Sequence, residues 1–256
     1  MGIVNVTPDS FSDGGAFLDP DVAVAHGERL VGEGAAILDV GGESTRPGAA
    51  SVGAEEEMAR VMPVVAGLSR RVATPISIDT YKARVAAAAI EAGASIVNDV
   101  WGFQRDADMA RVVAANGAGA VLMHNRASVD PALDIVADML AFLGRSIEIA
   151  LAAGVSEARL WVDPGFGFGK TAAQNLEALR RLSALKALGR PVLLGVSRKS
   201  TIGLVTGQTV AAERVPGSIA AALYGVANGA AIVRAHDVAQ HVQALKVWRA
   251  IEEGHA

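Results

Sequence analysis

Eight times along this chain a short apolar, β-branched run gives way to a longer Ala-rich stretch of helical period. That alternation constrains the fold more than any other feature. The runs are 3–6, 36–40, 76–79, 95–98, 120–123, 160–163, 192–196 and 231–234. The stretches between them predict helices over 21–34, 54–68, 82–92, 106–116, 131–153, 172–188, 211–227 and 237–252. Strands apolar on both faces belong to a parallel sheet covered on both sides. Eight such units in 256 residues suit one α/β domain, a single (β/α)8 barrel of the TIM type spanning 1–256, a fold of about 250 residues. An open doubly wound sheet of two halves is the alternative. Gly93, Gly117, Gly154 and Gly189 fall where a helix should stop, and Asp237 stands where it is expected to cap the last helix.

Composition narrows the function classes. Half of the residues are apolar but only 4% are aromatic, so the core is built from Ala, Val, Leu and Ile. A net charge of −4 without a basic stripe argues against a nucleic-acid partner. The absence of cysteine excludes disulfides, thiolate catalysis and cysteine-based zinc sites. Met1 leads straight into Gly2-Ile3-Val4-Asn5 without a basic leader, which is the expectation for a cytoplasmic chain. Val215 to Val233 holds no charge over 19 residues, nominally a membrane span. Pro216, Asn228 and three glycines within it predict instead a buried helix running into a buried strand.

Chemistry-bearing residues collect after the strands. The strand ends carry Asn5; Asp39 and then Glu43-Ser44-Thr45-Arg46; Asp79-Thr80; Asn98-Asp99; His124-Asn125; Asp163; Ser197-Arg198-Lys199-Ser200; and Arg234 with His236-Asp237. The carboxyl-terminal rim is where barrels of this type place their chemistry. Capping of the next helix explains an Asp, Asn or Ser at such a position. It explains Lys199, Arg234 and His236 badly, because cations are disfavoured at helix N-termini. Cations there point to a bound anion, and a phosphate after strands 7 and 8 fits the fold.

Two loops stand out, Thr7 to Gly15 after the first strand and Gly41 to Ala49 after the second. Both are rich in Gly, Pro and hydroxyls, as lids over a polar substrate are. The run Asp163-Pro164-Gly165-Phe166-Gly167-Phe168-Gly169-Lys170 has neither the Walker A nor the dinucleotide spacing. Its glycines are expected to let the backbone pass beneath a flat ligand. Asp79, Asn98, Asp163 and Lys199 combine acceptors and donors that suit a polar bicyclic ring, pterin or purine alike.

The opening Met1 to Gly15, the stretch Asp39 to Gly48, and the elements Ser77-Ile78-Asp79-Thr80, Val97-Asn98-Asp99, Leu122-Met123-His124, Asp163 to Lys170, Ser197-Arg198-Lys199-Ser200 and Arg234-Ala235-His236-Asp237 occur in one order. In that order they resemble the dihydropteroate synthase family of pterin-binding barrels over nearly the whole chain. The resemblance implies transfer of a dihydropterin methylene from its diphosphate to 4-aminobenzoate. It implies a pterin site of Asp79, Asn98, Met123, Asp163, Phe168 and Lys199, and a 4-aminobenzoate site of Phe11, Thr45, Arg46, Pro47, Arg198 and Ser200. Diphosphate would meet Asn5, Arg234 and His236, with Mg²⁺ at Asn5. Asp13, Lys199, Arg234 and His236 would serve the chemistry. A homodimer without nucleic-acid or membrane partners, and inhibition by sulfonamides that mimic 4-aminobenzoate, also follow from the resemblance. Family members carry a short segment ahead of the first motif, so the barrel floor is expected to be less covered here.

Two other readings share the fold. A pterin-dependent corrinoid methyltransferase needs no diphosphate subsite, so Ser44 to Pro47, Ser197 to Ser200, Arg234 and His236 argue against it. A non-catalytic pterin-binding paralogue would be expected to lose Asp13, Arg46, Lys199 or Arg234, and all four are present. His26, His241, His255, Lys170 and Lys246 read as structural or solvated, and Glu55-Glu56-Glu57 as negative charge favoured at a helix start.

Overall fold

The computed structural model describes residues 1–7, 19–44 and 51–254. Its eight parallel strands are β1 (Gly2–Asn5), β2 (Leu38–Gly41), β3 (Ile76–Asp79), β4 (Ile96–Asp99), β5 (Gly119–Met123), β6 (Leu160–Asp163), β7 (Val192–Leu194) and β8 (Ala230–Val233). The helices are α1 (Pro20–Gly32), α2 (Ala54–Arg71), α3 (Ala83–Glu91), α4 (Met109–Ala115), α5 (Ile135–Ala152), α6 (Ala172–Arg180), α7 (Ser200–Thr206), α8 (Val215–Ala227) and α9 (Val238–Glu253). Sheet order follows chain order from β1 to β8, and among the described residues no ladder joins β8 back to β1. The alternation of apolar runs and helical stretches thus gives an eight-stranded α/β fold, as the sequence predicts.

Two compact units divide the chain, Met1–Leu122 with Ser146–Leu160, and Met123–Arg145 with Trp161–Ala256. In the first unit the β1 to β4 ladders are in continuous register. Leu38, Val40, Ile78 and Val97 are fully buried, and each such side chain contributes about 1.5–3 kcal/mol through removal from water. In the second unit β7 pairs with β8 through an irregularity after Val192.

Helix ends follow local chemistry. Asp19 caps α1 by accepting from the Asp21 N–H at 2.9 Å, with Pro20 in the first turn. Thr171 and Gln174 form a capping box on α6. The four stop glycines have φ of +118° (Gly93), +61° (Gly117), +93° (Gly154) and +65° (Gly189), which L side chains rarely adopt.

Several expectations need correction. The 172–188 helix ends at Arg180 and continues as a 3₁₀ segment, Leu182–Leu188. Helix α7 lies between the predicted helices 172–188 and 211–227, in a stretch for which the periodicity predicts none. Residues 215–233 form helix and strand as expected, but they are only partly buried: Tyr224 is 46% exposed, and β8 is covered mainly at Ala230. Among the described residues no helix is long and apolar enough to cross a membrane. Asp237 occupies the N-cap position of α9 yet makes no capping hydrogen bond. Lys170 is buried rather than solvated, and Glu55, Glu56 and Glu57 lie in the first turn of α2 as expected, with Glu57 fully buried.

Candidate active site

In the first unit, strand register sets Asn5, Gly41, Asp79 and Asn98 side by side at the carboxyl ends of β1 to β4. A side chain at Gly41 would begin 3.4 Å from the Asp79 Cβ, so glycine leaves that carboxylate room. Two residues before Gly41, on the same face of the strand, lies Asp39. Its Oδ2 accepts from the Asn98 amide nitrogen at 3.1 Å, and both side chains are buried. With the amide nitrogen facing a carboxylate, the flip of Asn98 is assigned by this bond. Asn98 Oδ1 is left buried without a partner among the described residues. Such an acceptor is expensive to leave unmet and suits a ligand N–H. Asp99 does a different job. Its carboxylate accepts the Trp101 and Phe103 N–H groups at 2.7 and 2.9 Å, and burial pushes it up to about 6 despite those bonds.

The base of the second loop is tied down by a cluster that local sequence gave no sign of. Lys82 reaches both Glu43 and the fully buried Glu57, Tyr81 donates to Glu43 at 2.9 Å, and Arg60 donates to the Gly42 carbonyl at 2.8 Å. Burial pulls the Lys82 ammonium down, but its hydrogen bonds to Glu43 and Glu57 outweigh this and leave it raised.

In the second unit, Asp163 ends β6 and is 5% exposed. Its Oδ1 accepts from the Gly165 N–H at 2.7 Å. Burial raises it, against that bond and the cations Lys199, Arg234 and Lys170. The following glycine run wraps tightly. A Cβ at Gly165 would lie 1.8 Å from the His124 carbonyl oxygen, and one at Gly169 2.5 Å from Arg126. Phe168 presents its ring beneath Lys199, whose Nζ sits 4.1 Å from the ring centre, a favourable cation–π placement. Asn175, which the sequence did not single out, accepts the Gly167 N–H at 2.7 Å and donates to Thr201 at 3.1 Å. It thereby couples the glycine run to the Lys199 turn.

Arg234 leaves β8 beside this group. A Cβ built at Gly195 would lie 3.9 Å from the Arg234 side chain and 3.9 Å from Asp163 Oδ2. His236 is fixed by Ser197, whose hydroxyl oxygen accepts the His236 backbone N–H and lies 3.1 Å from Nδ1. A hydroxyl proton directed at Nδ1 places the ring proton on Nε2, an assignment made from this hydrogen-bond pattern. Burial, Arg234 and Arg198 hold this histidine down at about 3, so it is neutral, and in the assigned tautomer it offers Nε2–H as a donor. Arg198, at φ +58°, grips Asp237 through Nε at 2.9 Å and a second nitrogen. That pair is why Asp237 does not cap α9. Ser200 is exposed at the first turn of α7, and Met123 is buried at the end of β5.

The described site residues thus fall into two sets. Asn5, Asp79 and Asn98 share one row in the first unit. Asp163, Phe168, Lys199 and Arg234 cluster in the second, with His236 and Arg198 held by Ser197 and Asp237. Phe11, Asp13, Thr45, Arg46 and Pro47 lie outside the described residues, as does His255. Chemically, the second set pairs an acceptor, an aromatic face and cationic donors, as a polar ring with an anionic group requires.

Residues 1–236 match the family described as "Pterin binding enzyme". A dihydropteroate synthase of Clostridium beijerinckii is 50% identical over 248 residues, covering 96% of this chain and 91% of its own. Two structures of the Xanthomonas albilineans dihydropteroate synthase are similar. The one with 4-aminobenzoic acid is 49% identical with TM-score 0.94, covering 98% of this chain and 92% of its own. The one in complex with 7,8-dihydropteroate is 47% identical with TM-score 0.91 and the same coverage. The chain belongs to the pterin-binding enzymes, and within them to the dihydropteroate synthase family.

Proposed function

We infer that the chain is a transferase that joins the 7,8-dihydropterin-6-ylmethyl group of the pterin diphosphate to 4-aminobenzoate, giving 7,8-dihydropteroate and diphosphate in folate biosynthesis. Near-full-length likeness to a synthase in complex with 7,8-dihydropteroate carries the reading. The grouping of Arg234 and His236 near Asp163 agrees with it, because a corrinoid methyltransferase needs no site for a leaving diphosphate. We extend it to a single domain closed as a (β/α)8 barrel, acting as a cytoplasmic homodimer.

In this reading the Asp163 carboxylate accepts the paired N–H donors of the pterin edge, and Lys199 donates to ring acceptors while covering Phe168. Asp79 and Asn98 contribute further acceptors, and Met123 lines the ring. The bond from the methylene carbon to the diphosphate oxygen breaks first. Arg234 and His236 Nε2–H stabilise charge gathering on the departing diphosphate. The amine nitrogen of 4-aminobenzoate then bonds to the methylene carbon and sheds a proton. Arg198, Ser200, Phe11, Thr45, Arg46 and Pro47 hold the aromatic acid, and Asp13 approaches the reacting carbon. These assignments rest on the resemblance.

We propose Mg²⁺ as the ion of this site. Asn5 would supply one neutral oxygen at a strand end to an ion carried largely by substrate phosphates, and when bound that ion would neutralise leaving-group charge. The test is purified protein with the pterin diphosphate, Mg²⁺ and 4-aminobenzoate. Diphosphate release that depends on the aromatic amine is expected; release indifferent to the amine overturns the reading.

A further inference from the structure

Lys170 is the buried cation the mechanism leaves unused. It is 8% exposed, and all three ammonium protons have acceptors within the second unit: the Gly165 carbonyl at 2.8 Å, the Phe168 carbonyl at 3.1 Å and His124 Nδ1 at 2.8 Å. Placing an ammonium out of water costs several kcal/mol unless it is well met. All three direct acceptors are neutral, and the charge is opposed only through space by the Asp163 and Asp138 carboxylates. Burial draws Lys170 down to about 7.

The histidine is prepared for this role. Its Nε2 faces Asp138 Oδ2 at 2.9 Å, and Asp138 also takes Arg126 at 2.8 Å. A proton on Nε2 leaves Nδ1 as the acceptor that Lys170 needs. The His124 ring is fully buried and edge-on to Phe142 at 5.1 Å. Burial and Lys170 hold it at about 4, so it is neutral over the working range.

What Lys170 grips is the backbone on either side of Phe166-Gly167. Gly165 fixes one Asp163 oxygen through its N–H, and Phe168 carries the ring under Lys199. Glycines at 165, 167 and 169, all at positive φ, make this run the part of the site with most conformational freedom to lose. A single cation closing on two of its carbonyls restrains it.

We propose that Lys170 is a positioning residue for the pterin subsite, clamping the 165–168 backbone so that Asp163 and Phe168 are held in place and supplying positive charge behind the Asp163 carboxylate. The proposal rests on the assignment of Asp163 and Phe168 to the pterin. Asp163 is faced by Lys199 and Arg234 as well as by Lys170, and Lys170 by Asp163, Asp138, Lys199, Arg126 and His124. Removing Lys170 takes away one of three cations opposing the burial of Asp163.

The test uses the full chain and 7,8-dihydropteroate as the probe. Lys170→Met keeps the stem and removes the donors. Its affinity for 7,8-dihydropteroate should fall about 10-fold, and KM for the pterin diphosphate should rise in step, while KM for 4-aminobenzoate stays within about two-fold. The acid limb of probe binding should move to higher pH, a shift that loop loosening alone would not cause. Should Lys170→Met not fold, Asp138→Asn, at a partly exposed site, should give the same pattern at smaller amplitude by releasing the His124 tautomer. A folded variant with unchanged probe affinity and acid limb overturns the proposal. Asp163→Asn is the control: if it binds the probe as the parent does, the pterin assignment itself fails, whereas loss there with no change in Lys170→Met sinks only the Lys170 clamp.

Discussion

The Asn98 side-chain amide donates to the Asp39 carboxylate at 3.1 Å beneath the row of polar strand ends. Asp39 thereby orients the Asn98 amide, with Asn98 Oδ1 turned away from it. Replacing it by asparagine keeps shape and volume but removes the bias that presents Asn98 Oδ1 outward. Asp39→Asn is expected to weaken binding of the pterin substrate by about 5- to 30-fold, the range for a misdirected buried hydrogen bond. Isothermal titration with 7,8-dihydropteroate, alongside a thermal melt, checks it. An unchanged affinity would show that Asn98 needs no orienting partner.

The leaving-group side is probed at Arg234 and at the hydroxyl that serves His236. Arg234→Ala should lower kcat by about 100-fold, as loss of a preorganised charge stabiliser does, and Arg234→Lys should recover part of that loss. Ser197→Ala leaves the imidazole free to carry its proton on Nδ1, so kcat should fall by about 2- to 10-fold. Steady-state kinetics at saturating substrates separates these effects from binding, and unaltered turnover in Arg234→Ala would remove it from the diphosphate site.

Much of this arrangement was legible in the chain because it is local. The strand ends Asn5, Asp79, Asn98 and Asp163 each close an apolar run, and parallel strands in register set the first three side by side. What was not legible depends on distant partners. Lys170 stands between Gly169 and Thr171 like a loop lysine, and its acceptor His124 lies 46 residues earlier. Glu57 reads as one of three acids at a helix start, and nothing local marks it as the one that Lys82 draws into the interior. Asp237 has the right residue type and position for a cap, yet the Arg198 guanidinium offers it two stronger, charge-assisted bonds. Helix α7 leaves no periodic signal because its seven residues, stopped by Gly207 at φ +74°, are too few for a clear helical period.

Two glycines of nearly equal φ separate backbone strain from collision. Gly189 is at +65° with nothing within 4 Å of an added Cβ, while Gly165, also at +65°, would press a Cβ to 1.8 Å from the His124 carbonyl oxygen. Gly189→Ala should cost only the left-handed penalty, about 1–2 kcal/mol. Gly165→Ala adds displacement of the His124 backbone and should cost about 3 kcal/mol or more. Urea denaturation of both variants checks the ordering; equal losses would mean that the glycine run is free to move away from His124.

Acid sensitivity offers a test of the Ser197–His236 arrangement. His236 is held at about 3, against 6.5 for an unconstrained histidine, by burial, Arg234 and Arg198. Between those values the unfolded chain binds a proton at this ring and the folded chain does not, so protons favour unfolding. The stabilising contribution is complete above about 6.5 and is lost as pH falls toward about 3. Asp99 and Asp163, both raised by burial, pull the opposite way over part of that range, so the net slope of the parent protein does not isolate His236. The difference between parent and His236→Asn does, because the two aspartates are common to both. The variant should lose less stability than the parent on going from pH 7 to pH 5, by up to about 1 kcal/mol per pH unit. Urea midpoints for both proteins at the two pH values measure this. Parallel losses would mean that the folded protein protonates His236 as readily as the unfolded chain, and that its Nε2–H is not held neutral for the leaving diphosphate.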